Sequence, residues 1–181
     1  RRQPATAMMT KTIIAAGVCI LACAGIWYWA NRPFDPLPEG TVIDRVEVRK
    51  DERVMRLMKG GRSLREYRIA LGRCPAGPKR CEGDGRTPEG GYTLDYRNPK
   101  SRFFLSYHIS YPEPRDRRMA DSLGCMPGGD IMIHGAAPGH AFFGRLYSYV
   151  DWTNGCIAIT NPEMAEFWRV VPVGTPITIY P

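Results

Sequence analysis

Residues 131–161 read IMIHGAAPGHAFFGRLYSYVDWTNGCIAITN. A short apolar run over Asp130–Ile133 leads directly into His134 and Gly135, and Cys156 follows 22 residues after the histidine, between Gly155 and Ile157. An apolar run this short, with Gly128 and Gly129 just before it, reads as a strand rather than a helix. The histidine therefore ends a strand, and the cysteine sits in a glycine-containing loop, Thr153–Cys156. If the fold returns that loop to the end of the His134 strand, the two side chains meet.

The residues on either side supply such a fold. Thr41–Arg49 alternates Val42, Asp44, Val46 and Val48 with other residues, and Arg53–Met58 forms a second short run. Lys59-Gly60-Gly61-Arg62 reads as a hairpin turn, because paired glycines permit positive φ, and Leu64–Leu71 is the returning strand. Gly72–Gly91 is dense in Gly and Pro and reads as loop. Strands resume at Tyr92–Tyr96 and Arg102–Tyr111, where Phe103, Leu105, Tyr107, Ile109 and Tyr111 recur at period two. A loop then runs to Gly129. One helix is signalled, with Asn161 as N-cap, Pro162 in the first helical position and Glu163 in the first turn. It runs to about Val171, with Met164, Phe167 and Trp168 facing a core. Pro172 stops it and Pro176–Tyr180 closes the chain as a strand. Many short strands, Gly/Pro-rich turns and few helices predict a mostly β sandwich or barrel with a capping α-helix.

The N-terminal stretch is of another kind. No charged residue lies between Lys11 and Arg32, and Ile13–Ala30 is almost wholly apolar. That is the length a helix needs to cross a bilayer's hydrocarbon core. Arg1, Arg2 and Lys11 before it favour a cytoplasmic N-terminus, and Trp27, Tyr28 and Trp29 suit the far interface. Ala22-Cys23-Ala24 resembles a signal cleavage site, but the apolar run continues past it, which favours a retained anchor. The expected organisation is a cytoplasmic segment 1–11, a transmembrane anchor or signal segment 12–31, a stiff Pro-rich linker 32–40 and a catalytic domain 41–181. Either anchor or signal sends the rest of the chain out of the cytoplasm.

Charge excludes one class of partner. The net charge is +7, but residues 1–32 hold four basic residues and no acidic one, leaving +3 for the remainder. With no basic run interleaved with aromatics, nucleic acid is not an expected partner.

A free thiol has a pKa of about 8.5, so a nucleophilic Cys156 needs a neighbouring base or cation. His134 is the candidate, and an activated thiol would alkylate well below pH 8. Gly155, lacking a Cβ, lets backbone approach a substrate and aim amide N–H groups at an oxyanion. Spacing alone makes a weak case, since a lone His and a lone Cys are more often structural. The flanking residues lift it.

His134-Gly135 followed by Thr153-Asn154-Gly155-Cys156-Ile157 resembles the signature of L,D-transpeptidase catalytic domains, the YkuD-type family. Leu71-Gly72, Gly77-Pro78-Lys79, Gly83–Gly90 and Val173-Gly174-Thr175-Pro176 add to the likeness, which spans roughly Asp44–Tyr180. The resemblance implies attack by the cysteine on the carbonyl between diaminopimelate and D-Ala of a peptidoglycan stem. A thioester forms, D-Ala leaves, and an amine on another stem resolves the thioester to a 3–3 cross-link. Carried over, Cys156 is the nucleophile and His134 the general base. The Gly135 carbonyl orients the imidazole, and the amides of Asn154, Gly155 and Cys156 form the oxyanion hole. Trp152 and Thr153 are substrate-binding candidates. Two departures stand out: Asn154 replaces a second His, and Ala158 replaces an Arg. If that Arg holds a stem carboxylate, Arg86 and Arg145 are candidates to replace it. Hydrolysis of the same thioester, and a catalytically idle wall-binding module, are the competing readings.

Other residues read more plainly. His108, opposite the apolar face of its strand, is structural or solvent-facing, and His140 lies in a loop between base and nucleophile. Tyr147, Tyr149 and Trp152 form either a cleft wall or packing beneath the Cys loop. With Cys156 kept free, Cys74, Cys81 and Cys125 can give one pair and one leftover thiol; Cys74 and Cys81 flank one loop (CPAGPKRC), where a disulfide would restrict it. With no CxxC or HExxH, neither metal nor cofactor is expected.

Overall fold

A computed structural model describes residues 5–33 and 35–181. The chain divides into two compact units, the second being Asp35–Pro181. The first contains α1 (Ala5–Asn31), within which the 19 residues Ile13–Asn31 have a mean hydropathy of 2.0. This helix is apolar on every side and largely uncovered, so it is long and apolar enough to cross a membrane; a signal segment has the same character. Arg1 and Arg2, the expected basic flank, lie outside the described residues.

The second unit is mostly β, as the short strands and Gly/Pro-rich turns predict. Its strands are β1 (Arg45–Arg49), β2 (Val54–Lys59), β3 (Arg62–Arg68), β4 (Gly90–Asn98), β5 (Ser106–Ile109), β6 (Met132–His134), β7 (Ile157–Ala158) and β8 (Thr175–Tyr180). They form one curled sheet in the order β3-β2-β1-β8-β4-β5-β6-β7. Pairing is antiparallel except for β1 with β8 and β6 with β7. The second parallel pair matters for chemistry, because it sets His134 opposite Ala158 and Ile133 opposite Ile157. Side chains alternate along a strand. Cys156, two residues before Ala158, therefore faces the same side of the sheet as His134, one step along.

The core packs the inward side chains of this sheet against α3 (Asn161–Val170). Val46, Leu57, Ile109, Ile133, Ile157 and Phe167 are among the fully buried residues. The cap lies one residue before the predicted one. Thr160 is the cap, receiving the Glu163 N–H while Glu163 reaches back to the Thr160 N–H, a reciprocal capping box. That frees Asn161, whose Oδ1 accepts the Ala136 N–H at 2.8 Å and so ties α3 to the turn after His134.

Three local expectations are corrected. The predicted strand Arg102–Tyr111 is a strand only from Ser106. Phe104 takes a left-handed φ of 74°, which breaks the extended chain before it. Residues 112–129, expected as loop, contain α2 (Pro114–Ser122), started by Pro114 and a Glu113–Asp116 capping box. The connection between His134 and Cys156, expected as loop at His140, includes a 3₁₀ segment, Ala141–Tyr149, kinked at Gly144.

Within the second unit, Asp35–Gly40 lies against α3. Arg169 donates to the carbonyls of Leu37 (2.7 Å) and Pro38 (3.3 Å), and Leu37 packs against the core.

The disulfide also differs from expectation: Cys81 pairs with Cys125, and Cys74 is free and exposed. The Asp84 carboxylate accepts the N–H groups of Arg80, Cys81 and Arg86, folding the loop into a tight turn. That turn carries Cys81 to the segment after α2, where Glu82 N–H donates to the Met126 carbonyl at 2.7 Å. Cys74 is held elsewhere, its N–H on the Gly85 carbonyl.

Candidate active site

His134 closes β6 and is 2% exposed. The ring of Phe103 stacks on it at 4.5 Å, and Trp152 meets it edge-on at 5.5 Å. Its Nδ1 lies 2.7 Å from the Gly135 carbonyl. A carbonyl only accepts, so Nδ1 carries the proton and Nε2 keeps its lone pair. Gly135 must be glycine for a packing reason: a Cβ there would stand 2.5 Å from Asn161 Oδ1 and 2.9 Å from the Phe103 carbonyl.

Burial, with Arg102 adding a like charge, lowers the His134 pKa from 6.5 to about 4, although the Gly135 hydrogen bond opposes this. Burial likewise raises the Cys156 thiol, assisted by Asp130 and opposed by the Met132 N–H and by Lys79. Both shifts favour neutral forms. The directions of both shifts point to thiol and imidazole as the forms burial favours. The sulfur accepts from Met132 N–H at 3.4 Å and lies 3.6 Å from the Asp130 carbonyl, with no hydrogen bond to His134 in this rotamer.

The loop before Cys156 is built by Thr153, 4% exposed. Its Oγ1 accepts Gly155 N–H at 3.1 Å and donates to the Cys156 carbonyl at 2.7 Å. The Gly155 amide is thereby engaged inside the loop. Thr153 also exchanges backbone bonds with Leu71 and Arg73, and Ala158 with Ala70, so residues 70–73 line the loop like an added strand. Asp151 locks this arrangement by accepting Leu71 N–H at 2.9 Å and pairing with Arg53 at 2.8 Å.

Trp152 lies against His134, Phe103 and Tyr147. His140 stacks on Tyr147 at 5.1 Å, completing an aromatic path from the surface to the base. Phe143, Leu146, Tyr147, Val150 and Trp152 line an open apolar groove of about 260 Å³ beside it. Arg86 meets the nucleophile loop through its carbonyl, while its guanidinium extends toward Gly77. Arg145 acts on Glu163 in the first turn of α3. Arg102, which the sequence reading passed over, caps the Phe103 ring at 4.8 Å. Asp151, Asn161 and Phe103 were missed as well, because none belongs to a motif and each acts across the fold. His108 pairs with Asp95 at 2.6 Å, a structural contact.

The family model for the L,D-transpeptidase catalytic domain (YkuD) matches residues 43–179. The chain belongs to the L,D-transpeptidase family. YafK of Escherichia coli (strain K12), whose name carries the same family term, is 28% identical over 149 residues, covering 75% of this chain and 53% of that protein. Among solved structures, the helical cell shape determining protein Pgp2 of Campylobacter jejuni superposes with a TM-score of 0.59 at 23% identity, over 86% of this chain and 54% of that one. Bd1075 of Bdellovibrio bacteriovorus gives 0.53 at 23%, over 81% and 54%. The two structures share the L,D-transpeptidase fold seen here. The chain spans about half the length of these relatives.

Proposed function

We propose that this chain modifies peptidoglycan as a cysteine acyltransferase, cleaving the diaminopimelate–D-Ala bond of a tetrapeptide stem. The observation that carries the reading is the locked His134: Nδ1–H is committed to the Gly135 carbonyl, so Nε2 can only act as base, on the same sheet face as Cys156. Substrate entry turns the sulfur from Met132 toward the imidazole. As Sγ attacks the carbonyl carbon, its proton passes to Nε2. The oxyanion is held by the amides of Cys156 and Asn154, the Gly155 amide being occupied by Thr153. Collapse expels D-Ala, whose amine takes the proton from Nε2, and leaves a thioester. An amine of a second stem then attacks, gives its proton to the same nitrogen and restores the thiol, forming a 3–3 cross-link.

Trp152 walls the substrate cleft on the imidazole side, and Thr153 holds the oxyanion loop in shape. Arg145 and Arg86 remain the candidates for a stem carboxylate. The mechanism asks for no cofactor. The apolar α1 is the proposed single-pass anchor, with the catalytic unit in the periplasm. Hydrolysis of the thioester is the second reading, favoured by Asn154 and Ala158 in place of the family's His and Arg.

Disaccharide-tetrapeptides incubated with the full chain in detergent, beside Cys156→Ala, test the proposal by mass spectrometry. Loss of D-Ala with a tripeptide-linked dimer is expected. Tripeptide monomer alone means hydrolysis, and no Cys156-dependent product overturns the catalytic reading.

A further inference from the structure

A second cavity, of about 360 Å³, opens beside the loop that carries Cys156. Lys79, Glu82, Gly128, Gly129, Ile131 and Asn154 line it. It adjoins Cys156 on two sides. Asn154 is two residues before the cysteine, and Ile131 lies between Asp130 and Met132, whose backbone groups touch the sulfur.

Lys79 is a polar wall of an unusual kind. Its side chain is only 4% exposed. An ammonium has three N–H donors. Asp84 Oδ1 takes one at 2.9 Å and the Cys81 carbonyl another at 3.0 Å, which leaves one without a protein acceptor among the described residues. An unspent donor on a buried charge is costly until a ligand or water accepts it. The charge also reaches Cys156, where it works against the effect of burial on the thiol. Glu82 supplies the opposite sign, an exposed carboxylate with no cation paired to it among the described residues. The segment bearing both residues is fixed to the one bearing Gly128 and Gly129 by the Cys81–Cys125 disulfide and by the Glu82–Met126 backbone bond. Gly128 lets them close up, since a Cβ there would stand 3.2 Å from Glu82 Cβ.

A buried cation and an exposed carboxylate lining one cavity suit a ligand that bears carboxylate and ammonium on one carbon. We infer that this cavity is a subsite for an amino-acid zwitterion, gripped by Lys79 and Glu82 at the edge of the Cys156 centre. The inference rests on the acyl-transfer reading, in which the zwitterion is the free end of a diaminopimelate side chain. That end belongs either to the donor stem or to the incoming acceptor.

Both sources can be tested on the full chain in detergent. In the donor arm, thioester formation is timed by mass spectrometry with three tetrapeptide stems: native, amidated at the side-chain carboxylate, and acetylated at the side-chain amine. In the acceptor arm, preformed thioester is resolved by native or amidated stem. We expect amidation to slow one arm tenfold or more in the unaltered protein, and acetylation to slow the donor arm as much where the donor is the source. Lys79→Met should abolish discrimination against the amide, and Glu82→Gln should abolish discrimination against the acetylated stem. Lys79 also anchors Asp84, so Glu82→Gln, an exposed change, keeps the test decisive if Lys79→Met fails to fold. Discrimination in the donor arm names the donor as source, and in the acceptor arm the acceptor. Equal rates for all stems, or discrimination that survives Glu82→Gln and any folded Lys79→Met, overturns the inference while leaving acyl transfer intact. No thioester from any stem overturns acyl transfer and the inference with it.

Discussion

The Arg86 carbonyl occupies the space beside Gly155, 2.7 Å from where a Cβ on that glycine would stand. Gly155 also holds a φ of 134°, outside the range L-residues favour. Gly155→Ala must therefore displace either Arg86 or the nucleophile loop. Thioester formation should fall by roughly a hundredfold, the scale of losing an oxyanion donor, with circular dichroism unchanged. Activity within threefold of the parent would show that the loop need not hold this shape.

The pH behaviour follows from the neutral forms that burial favours. The proposed mechanism needs His134 neutral, and burial lowers its pKa to about 4, so acylation should stay level from pH 8 to about 5 and fall only below that. The same shift acts on stability. The unfolded histidine takes a proton near 6.5 and the folded one does not until about 4. Stability is thus undiminished above 6.5 and declines as pH falls from 6.5 to 4, by about 3 kcal/mol in all. Without substrate, iodoacetamide should label Cys156 slowly at pH 7 and still faster above pH 9, because burial raises the thiol. An acid limb centred at 6.5 would mean a solvated imidazole and would sink this account.

In the proposed mechanism Thr153 acts as a positioning residue. Thr153→Val keeps the shape but strips the acceptor from Gly155 N–H and the donor from the Cys156 carbonyl. A buried unpaired amide costs about 1–3 kcal/mol. The kcat for acylation should drop about tenfold or more while KM changes little, and Thr153→Ser should restore most of it. Equal loss in Val and Ser would assign the effect to packing instead.

The mostly β fold was legible because the strands of the second unit alternate and its turns carry Gly pairs and prolines. His134 and Cys156 were legible from their glycine neighbours. The helix α2 was not, although Glu113, Pro114 and Asp116 spell its start. It buries only Ala120, so it shows no apolar stripe to betray it. Phe103 was assigned to a strand face by its period-two spacing. The left-handed turn at Phe104 instead sends it over His134, and periodicity cannot report one residue's φ. Asn161 carried a good N-cap side chain, but Thr160 before it was as good, and tertiary contact with Ala136 decided between them. The disulfide was misread for a related reason. Loop proximity favours the near pair, Cys74 and Cys81, while the Asp84 turn points Cys81 elsewhere.

That disulfide gives the last prediction. It closes 44 residues of chain, a loop whose constraint on the unfolded state is worth about 4 kcal/mol by the chain-entropy estimate. Cys125→Ser should then lower the melting temperature of the second unit's transition by roughly 10 °C. The loss should not stop at stability, because the bridge holds the segment bearing Lys79 and Glu82 against the one bearing Gly128. At a temperature where the variant is fully folded, its KM for the native stem should rise several-fold while its kcat stays close to the parent's. Cys74→Ser is the control, since Cys74 is exposed and free, and it should change neither value. A Cys125→Ser variant with lowered melting temperature and unaltered KM would confine the disulfide to stability and leave the cavity walls held by their hydrogen bonds alone.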